Sequence, residues 1–94
     1  MEYVKVIFSP AVDEAILRHA AYAAPEDVPA ILDFTFELQK RLVRTLETAP
    51  LGGKKFQGNL RFFPMKGYVF LYEYIEVTHE VHVVDMIGPG QNWR

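Results

Sequence analysis

The chain contains no cysteine. That one absence excludes a disulfide framework, a thiolate zinc site and a cysteine nucleophile. Serine is nearly as scarce, with Ser9 the single example. It stands directly before Pro10, where a helix-capping hydroxyl accounts for it better than a nucleophile in a triad. No phosphate loop is present either, since Gly52-Gly53-Lys54-Lys55 lacks the glycine spacing of a P-loop. No apolar run approaches a membrane span, and Met1 to Phe8 has neither the basic start nor the long apolar stretch of a signal peptide, so the chain reads as cytoplasmic. Positive charge is not in overall excess. A net charge of -2 argues against a non-specific nucleic-acid binder.

What is present is enough for a globule. The 94 residues form one domain, 1–94, and half of them are apolar, which excludes a disordered chain and allows a modest core. Charge is segregated along the sequence. Between Lys40 and Lys66 the basic residues Lys40, Arg41, Arg44, Lys54, Lys55, Arg61 and Lys66 face Glu47 alone, whereas the rest of the chain holds three basic residues against eleven acidic ones. Such polarity gives an electropositive patch able to meet phosphate or an acidic partner.

Tyr3 to Phe8 is short, β-branched and aromatic, and reads as a strand that Ser9-Pro10 terminates. Ser9 and Pro10 then open a helix running to about Ala24, with Val12, Ile16, Ala20 and Ala23 on its apolar stripe. Pro25-Glu26-Asp27 breaks it, and Asp27 or a neighbour is expected to cap a second helix from about Pro29 to Ala49. Its apolar positions Ile31, Phe34, Leu38, Leu42 and Leu46 recur at three or four. Two helices so joined predict an antiparallel hairpin. Leu51 to Asn59 reads as a glycine-punctuated loop. Leu60 to Met65, Gly67 to Tyr74 and Glu80 to Ile87 read as three strands, with Lys66-Gly67 and Glu76 to His79 as hairpin connections.

In the middle strand Val69, Leu71 and Glu73 face one way and Tyr68, Phe70, Tyr72 and Tyr74 the other. One face packs on the helices. The aromatic face is expected to need cover from a loop, the C-terminus or another chain.

Few residues offer chemistry. His19 reads as a boundary residue of the first helix, and His79 and His82, three apart on a strand, point to opposite faces. Neither a metal nor a cofactor site is expected. Lys54, Lys55 and Arg61 remain, placed to grip a phosphate backbone or a carboxylate-rich segment.

Several local patterns in order resemble the RelE/ParE toxin superfamily of toxin-antitoxin systems across essentially the whole chain. Val6-Ile7-Phe8-Ser9-Pro10-Ala11 is similar to the family's strand-to-helix junction, and Leu46-Glu47-Thr48-Ala49-Pro50-Leu51-Gly52-Gly53 to its helix exit. Leu60-Arg61 followed by Gly67-Tyr68-Val69-Phe70-Leu71-Tyr72 resembles its arginine strand and tyrosine-ended partner. Val83 to Ile87 through Asn92-Trp93-Arg94 resembles the ParE side. The resemblance implies an α+β fold of order β-α-α-β-β-β, with a helical hairpin on a mainly antiparallel sheet.

On the ParE branch it implies a toxin that inhibits DNA gyrase without catalysis of its own, with Arg61, Lys54, Lys55, Trp93 and Arg94 as target-binding residues. On the RelE branch it implies a ribosome-dependent mRNA endonuclease, in which Arg61, Lys54, Lys55 and His82 are the available catalytic groups. Residues 88–94 hold no His, Tyr, Asp or Glu, which disfavours that branch. Either branch implies a cognate antitoxin, with Phe70, Tyr72 and Tyr74 as its expected contact surface. A non-toxic antitoxin-binding module is the remaining alternative.

Overall fold

Strand β1, Lys5–Phe8, ends where Ser9 turns the chain into α1, Pro10–Ala21. The Ser9 Oγ accepts a hydrogen bond from the Ala11 N–H at 3.1 Å, and Pro10 occupies the first helical position, where its missing N–H costs nothing. These coordinates come from a computed structural model that describes residues 3–91. Helix α1 stops three residues short of the expected Ala24. Ala24 precedes a proline, which disfavours helical backbone, and it is extended at ψ 144°.

A single 3₁₀ turn, Pro25–Asp27, leads directly into α2, Val28–Thr48. The expected Asp27 cap does not form through its side chain. Its backbone is already helical at φ -92°, ψ -14°, so the carboxylate is not presented to the first free N–H groups as an extended capping residue would present it. The buried stripe of α2 is Thr35, Leu38, Leu42 and Leu46, with Thr35 in place of the expected Phe34. Phe34 is 44% exposed at the edge of the core, tilted against Tyr68. Thr35 is buried without an orphaned group, because its hydroxyl donates to the Ile31 and Leu32 carbonyls at 3.0 and 3.1 Å.

The remaining strands are β2 (Lys54–Gln57), β3 (Leu60–Met65), β4 (Tyr68–Ile75) and β5 (Glu80–Ile87). The five-stranded sheet has the order β1-β5-β4-β3-β2, with β1 parallel to β5 and every other pair antiparallel. Strand β2 corrects the sequence reading, which placed its residues in a loop. Two lysines in four residues give no strand signal of their own. The segment becomes a strand because Gly58, at φ 57°, closes a tight turn that lays it along β3. Lys66 and Gly67, both at positive φ, close the expected hairpin between β3 and β4.

Both helices pack on the face of the sheet that carries Tyr68, Phe70 and Tyr72. A bulge opposite Leu71 and Tyr72 shifts the alternation of β5, so that Val81, Val83 and Met86 all reach this face. The expectation that the aromatic face needs cover from a loop, the C-terminus or another chain is therefore corrected, since the helices themselves cover it. Phe70 and Tyr72 are fully buried and only Tyr74 is half-buried. Both faces of β4 are apolar by pattern, and the larger aromatic set is the one that fills the space beneath two helices. His19 is the boundary residue expected. Its Nε2 lies 2.8 Å from the Tyr68 hydroxyl, whose pKa burial pushes up.

Candidate functional site

The loop leaving α2 must turn sharply to start β2, and the residues that hold this turn border a polar concavity. Gly53 is buried, and its N–H donates to the Tyr72 hydroxyl at 2.7 Å. An added Cβ there would lie 2.6 Å from that hydroxyl and 2.7 Å from the Phe62 carbonyl oxygen. Arg61 holds the same loop from β3, its Nη1 donating to the Gly53 carbonyl at 2.9 Å and to Leu51 at 3.4 Å. Burial raises the Tyr72 pKa, opposed by the Gly53 hydrogen bond and the nearby Arg61 charge.

Beyond Arg61 lies a pocket of about 250 Å³ lined by Leu51, Lys55, Gly58, Asn59, Leu60, Arg61, Tyr74 and Glu76. Register explains its membership. Lys55 is the direct cross-strand partner of Arg61, and Arg61 of Tyr72, so all three share the helix-side face. Lys54 pairs with Phe62 and therefore points to the opposite face. His82, paired with Glu73 on that opposite face, is likewise not brought to Arg61. Of the candidate residues, then, the structure joins Lys55 and Arg61 and separates Lys54 and His82 from them. Trp93 and Arg94 lie outside the described residues.

The pocket also contains Tyr74, which the sequence marked only as an antitoxin contact, and Asn59 and Glu76, which it did not mark. Tyr74 enters it with its hydroxyl 3.1 Å from the His79 Nδ1, and Asn59 and Glu76 come from the two flanking turns. The spacing of Tyr72 and Tyr74 places both on one face, but only the position of the loops reveals that Tyr74 lies at the pocket. Among the described residues no group of three or more His, Cys, Asp or Glu side chains is arranged to hold a metal ion.

On the other face His82 Nε2 lies 3.1 Å from Glu80 Oε1. The hydrogen bond from His82 is the largest influence on Glu80, and with help from Thr78 and Lys5 it holds the carboxyl below its ordinary value of 4.5. A carboxyl whose folded pKa is depressed adds stability that is complete above the unfolded value and is lost as pH falls through the folded one. Acid unfolding followed by circular dichroism should show a shallower loss of stability below pH 4.5 in Glu80→Gln than in the unaltered chain. Identical acid limbs would mean that the pair contributes nothing.

A second concavity separates the helices. Asp13, Ile16, Leu17, Leu32, Asp33, Thr35, Phe36 and Gln39 line a groove of about 390 Å³, in which Leu17 and Phe36 are 62% and 58% exposed. No described helix is long and apolar enough to cross a membrane.

Comparison of the sequence with protein-family models and with curated proteins gives no match. Solved structures do match. A chain of the toxin-antitoxin complex RelBE2 from Mycobacterium tuberculosis aligns with a TM-score of 0.64 at 16% identity, covering 97% of each chain. The isolated E. coli RelE toxin aligns at 0.56 and 15% identity, over 95% of this chain and 87% of that one. A chain of the intact E. coli RelBE complex aligns at 0.54 and 16%, over 95% and 99%. Across nearly the full described length, the chain has the α+β fold of the RelE toxins.

Proposed function

We propose that this chain is the toxin of a toxin-antitoxin pair and that it acts by binding its target rather than by catalysis, with DNA gyrase the target implied by its ParE-like C-terminal sequence. The fold shared with RelE toxins supports the toxin role. The observation that carries the choice of mechanism is the separation of the candidate catalytic groups, since register turns Lys54 and His82 to the face of the sheet opposite Arg61. Lys55 and Arg61 are thereby left without the histidine that the nuclease reading drew on for acid-base work. The tail sequence adds no acid or base. The partner in this reading is a cognate antitoxin, as in the RelBE complexes, and the groove exposing Leu17, Leu32 and Phe36 supplies apolar surface for such a segment to cover. The protein would work in the cytoplasm.

One observation favours a second reading, an mRNA endonuclease of RelE type. The pocket collects Lys55, Arg61, Tyr74 and Glu76, which are the cationic, hydroxyl and carboxylate groups that ribose-directed cleavage of RNA requires. Induced expression without a partner separates the readings when mRNA integrity and gyrase-dependent DNA breaks are measured in the same culture. DNA breaks with intact mRNA are expected. Codon-linked cleavage of mRNA would overturn the binding mechanism, and unaltered growth with neither effect would identify a non-toxic antitoxin-binding module.

A further inference from the structure

Charge reverses along α2. Its charged residues are Asp33 and Glu37 in the first half and Lys40, Arg41, Arg44 and Glu47 in the second, so the helix runs from acidic to largely basic. Phe36 stands beside the crossover and is more than half exposed. Asp33, Phe36 and Lys40 are spaced by three and four residues, which sets an acid, an aromatic ring and a base in a row on one face. Leu17 of α1 and Leu32 widen the exposed apolar patch around Phe36, over the groove whose charged lining residues, Asp13 and Asp33, are both acidic. Asp33 forms no ion pair among the described residues. Lys40 meets Glu37 at 3.0 Å and lies 4.9 Å from the centroid of the Phe36 ring, but an exposed pair within one helix is worth little and leaves the lysine free to exchange partners.

We infer that this face is a self-complementary interface through which two copies of the chain form a twofold dimer, their α2 helices antiparallel. A helix laid antiparallel over its own copy and centred beside Phe36 brings Asp33 opposite Lys40 of the second copy. By symmetry Lys40 then meets Asp33 of that copy, so one contact forms twice, with the two Phe36 rings between. Each ring enters the groove of the other copy beside Leu17 and Leu32. Parallel helices would set Asp33 against Asp33 and Lys40 against Lys40, so the order of charge selects the antiparallel arrangement. The interface is small and the dimer correspondingly weak, leaving the chain monomeric at the dilution of an unfolding experiment. The patch holds one occupant at a time, and an antitoxin segment in the groove displaces the second copy.

Sedimentation velocity of the purified full chain, from about 1 µM to about 1 mM, spans the range in which a small interface dissociates. The unaltered chain is expected to pass from monomer to dimer as concentration rises and to go no further, because a twofold contact closes on itself. Phe36→Ala removes the apolar centre and should lose the association while keeping the fold.

Charge reversal tests the pairing itself. Asp33→Lys and Lys40→Asp each set like charges opposite one another twice, and each should weaken dimerisation at least about tenfold. Mixing the two variants in equal amounts should restore it, because every contact between them then joins a lysine to an aspartate. The doubly reversed chain, Asp33→Lys with Lys40→Asp, should associate like the unaltered one. Both positions are exposed, so the reversals leave the fold intact, which circular dichroism verifies. The interface is overturned by dimers that persist in both single variants, by a mixture no more associated than its components, or by an unaltered chain that stays monomeric throughout, which would leave the groove to a segment of another protein.

Discussion

Replacing Gly53 with alanine should cost the chain about 3 kcal/mol or more, from overpacking of about 1–3 kcal/mol together with the loss of a buried hydrogen bond worth about 1–3 kcal/mol. The first reason is steric. The new methyl carbon would fall 2.6 Å from the Tyr72 hydroxyl, 2.7 Å from its ring and 2.7 Å from the Phe62 carbonyl oxygen. Two of these atoms belong to a fully buried side chain and the third to the backbone of β3, so none can yield as the tip of an exposed side chain would. The second reason is polar. Moving Tyr72 away breaks the 2.7 Å bond that satisfies the Gly53 N–H.

Urea unfolding at equilibrium measures the loss, and a double-mutant cycle identifies its source. Tyr72→Phe alone should be mildly destabilising because it orphans the Gly53 N–H, yet in the Gly53→Ala background it should recover part of the loss by removing the nearest atom. Strictly additive costs would show that the damage arises at Phe62 instead. The loop is also the support of Arg61, so Gly53→Ala should disturb the pocket as well as the fold.

Phe70→Ala should destabilise by about 3–5 kcal/mol, the cost typical of emptying a phenylalanine site in a packed core. Against a total stability of about 5–15 kcal/mol for a domain of ordinary size, that is enough to leave the chain marginally folded at 37 °C. Phe70 is fully buried on β4, the central strand, opposite Phe63 on one side and Met86 on the other. No rearrangement of one neighbour can refill a cavity bounded by two strands and the helices above them. A loss of unfolding free energy in urea of less than a third of this amount would mean that the core collapses around the vacancy. Phe36→Ala provides the contrast, because Phe36 is 58% exposed and its removal should leave stability within about 0.5 kcal/mol.

The correction at Phe70 and Tyr72 bears on function. A partner cannot contact side chains that the two helices already cover, so a search for interaction residues belongs on Leu17, Leu32 and Phe36 and on the rim of the Lys55–Arg61 pocket. Alternation along β4 states which residues share a face. It does not state which of two apolar faces the helices choose.

Local chemistry determined a large part of this molecule. Ser9-Pro10 fixed the start of α1, Pro25 its latest possible end, and the Leu38, Leu42 and Leu46 spacing the buried edge of α2, because capping, proline geometry and helical period act within a few residues. The positive-φ turn at Lys66-Gly67 and the alternation of β4 were legible for the same reason. What the tertiary structure decided were matters of pairing. Strand β2 exists because β3 is beside it, and the bulge in β5 is set by packing rather than by any signal in Val84 or Asp85. Register alone turned Lys55 toward Arg61 and Lys54 away, a distinction that two adjacent lysines cannot carry in sequence. A one-residue shift in pairing reverses every side chain of a strand, and only the neighbouring strand determines where that pairing begins.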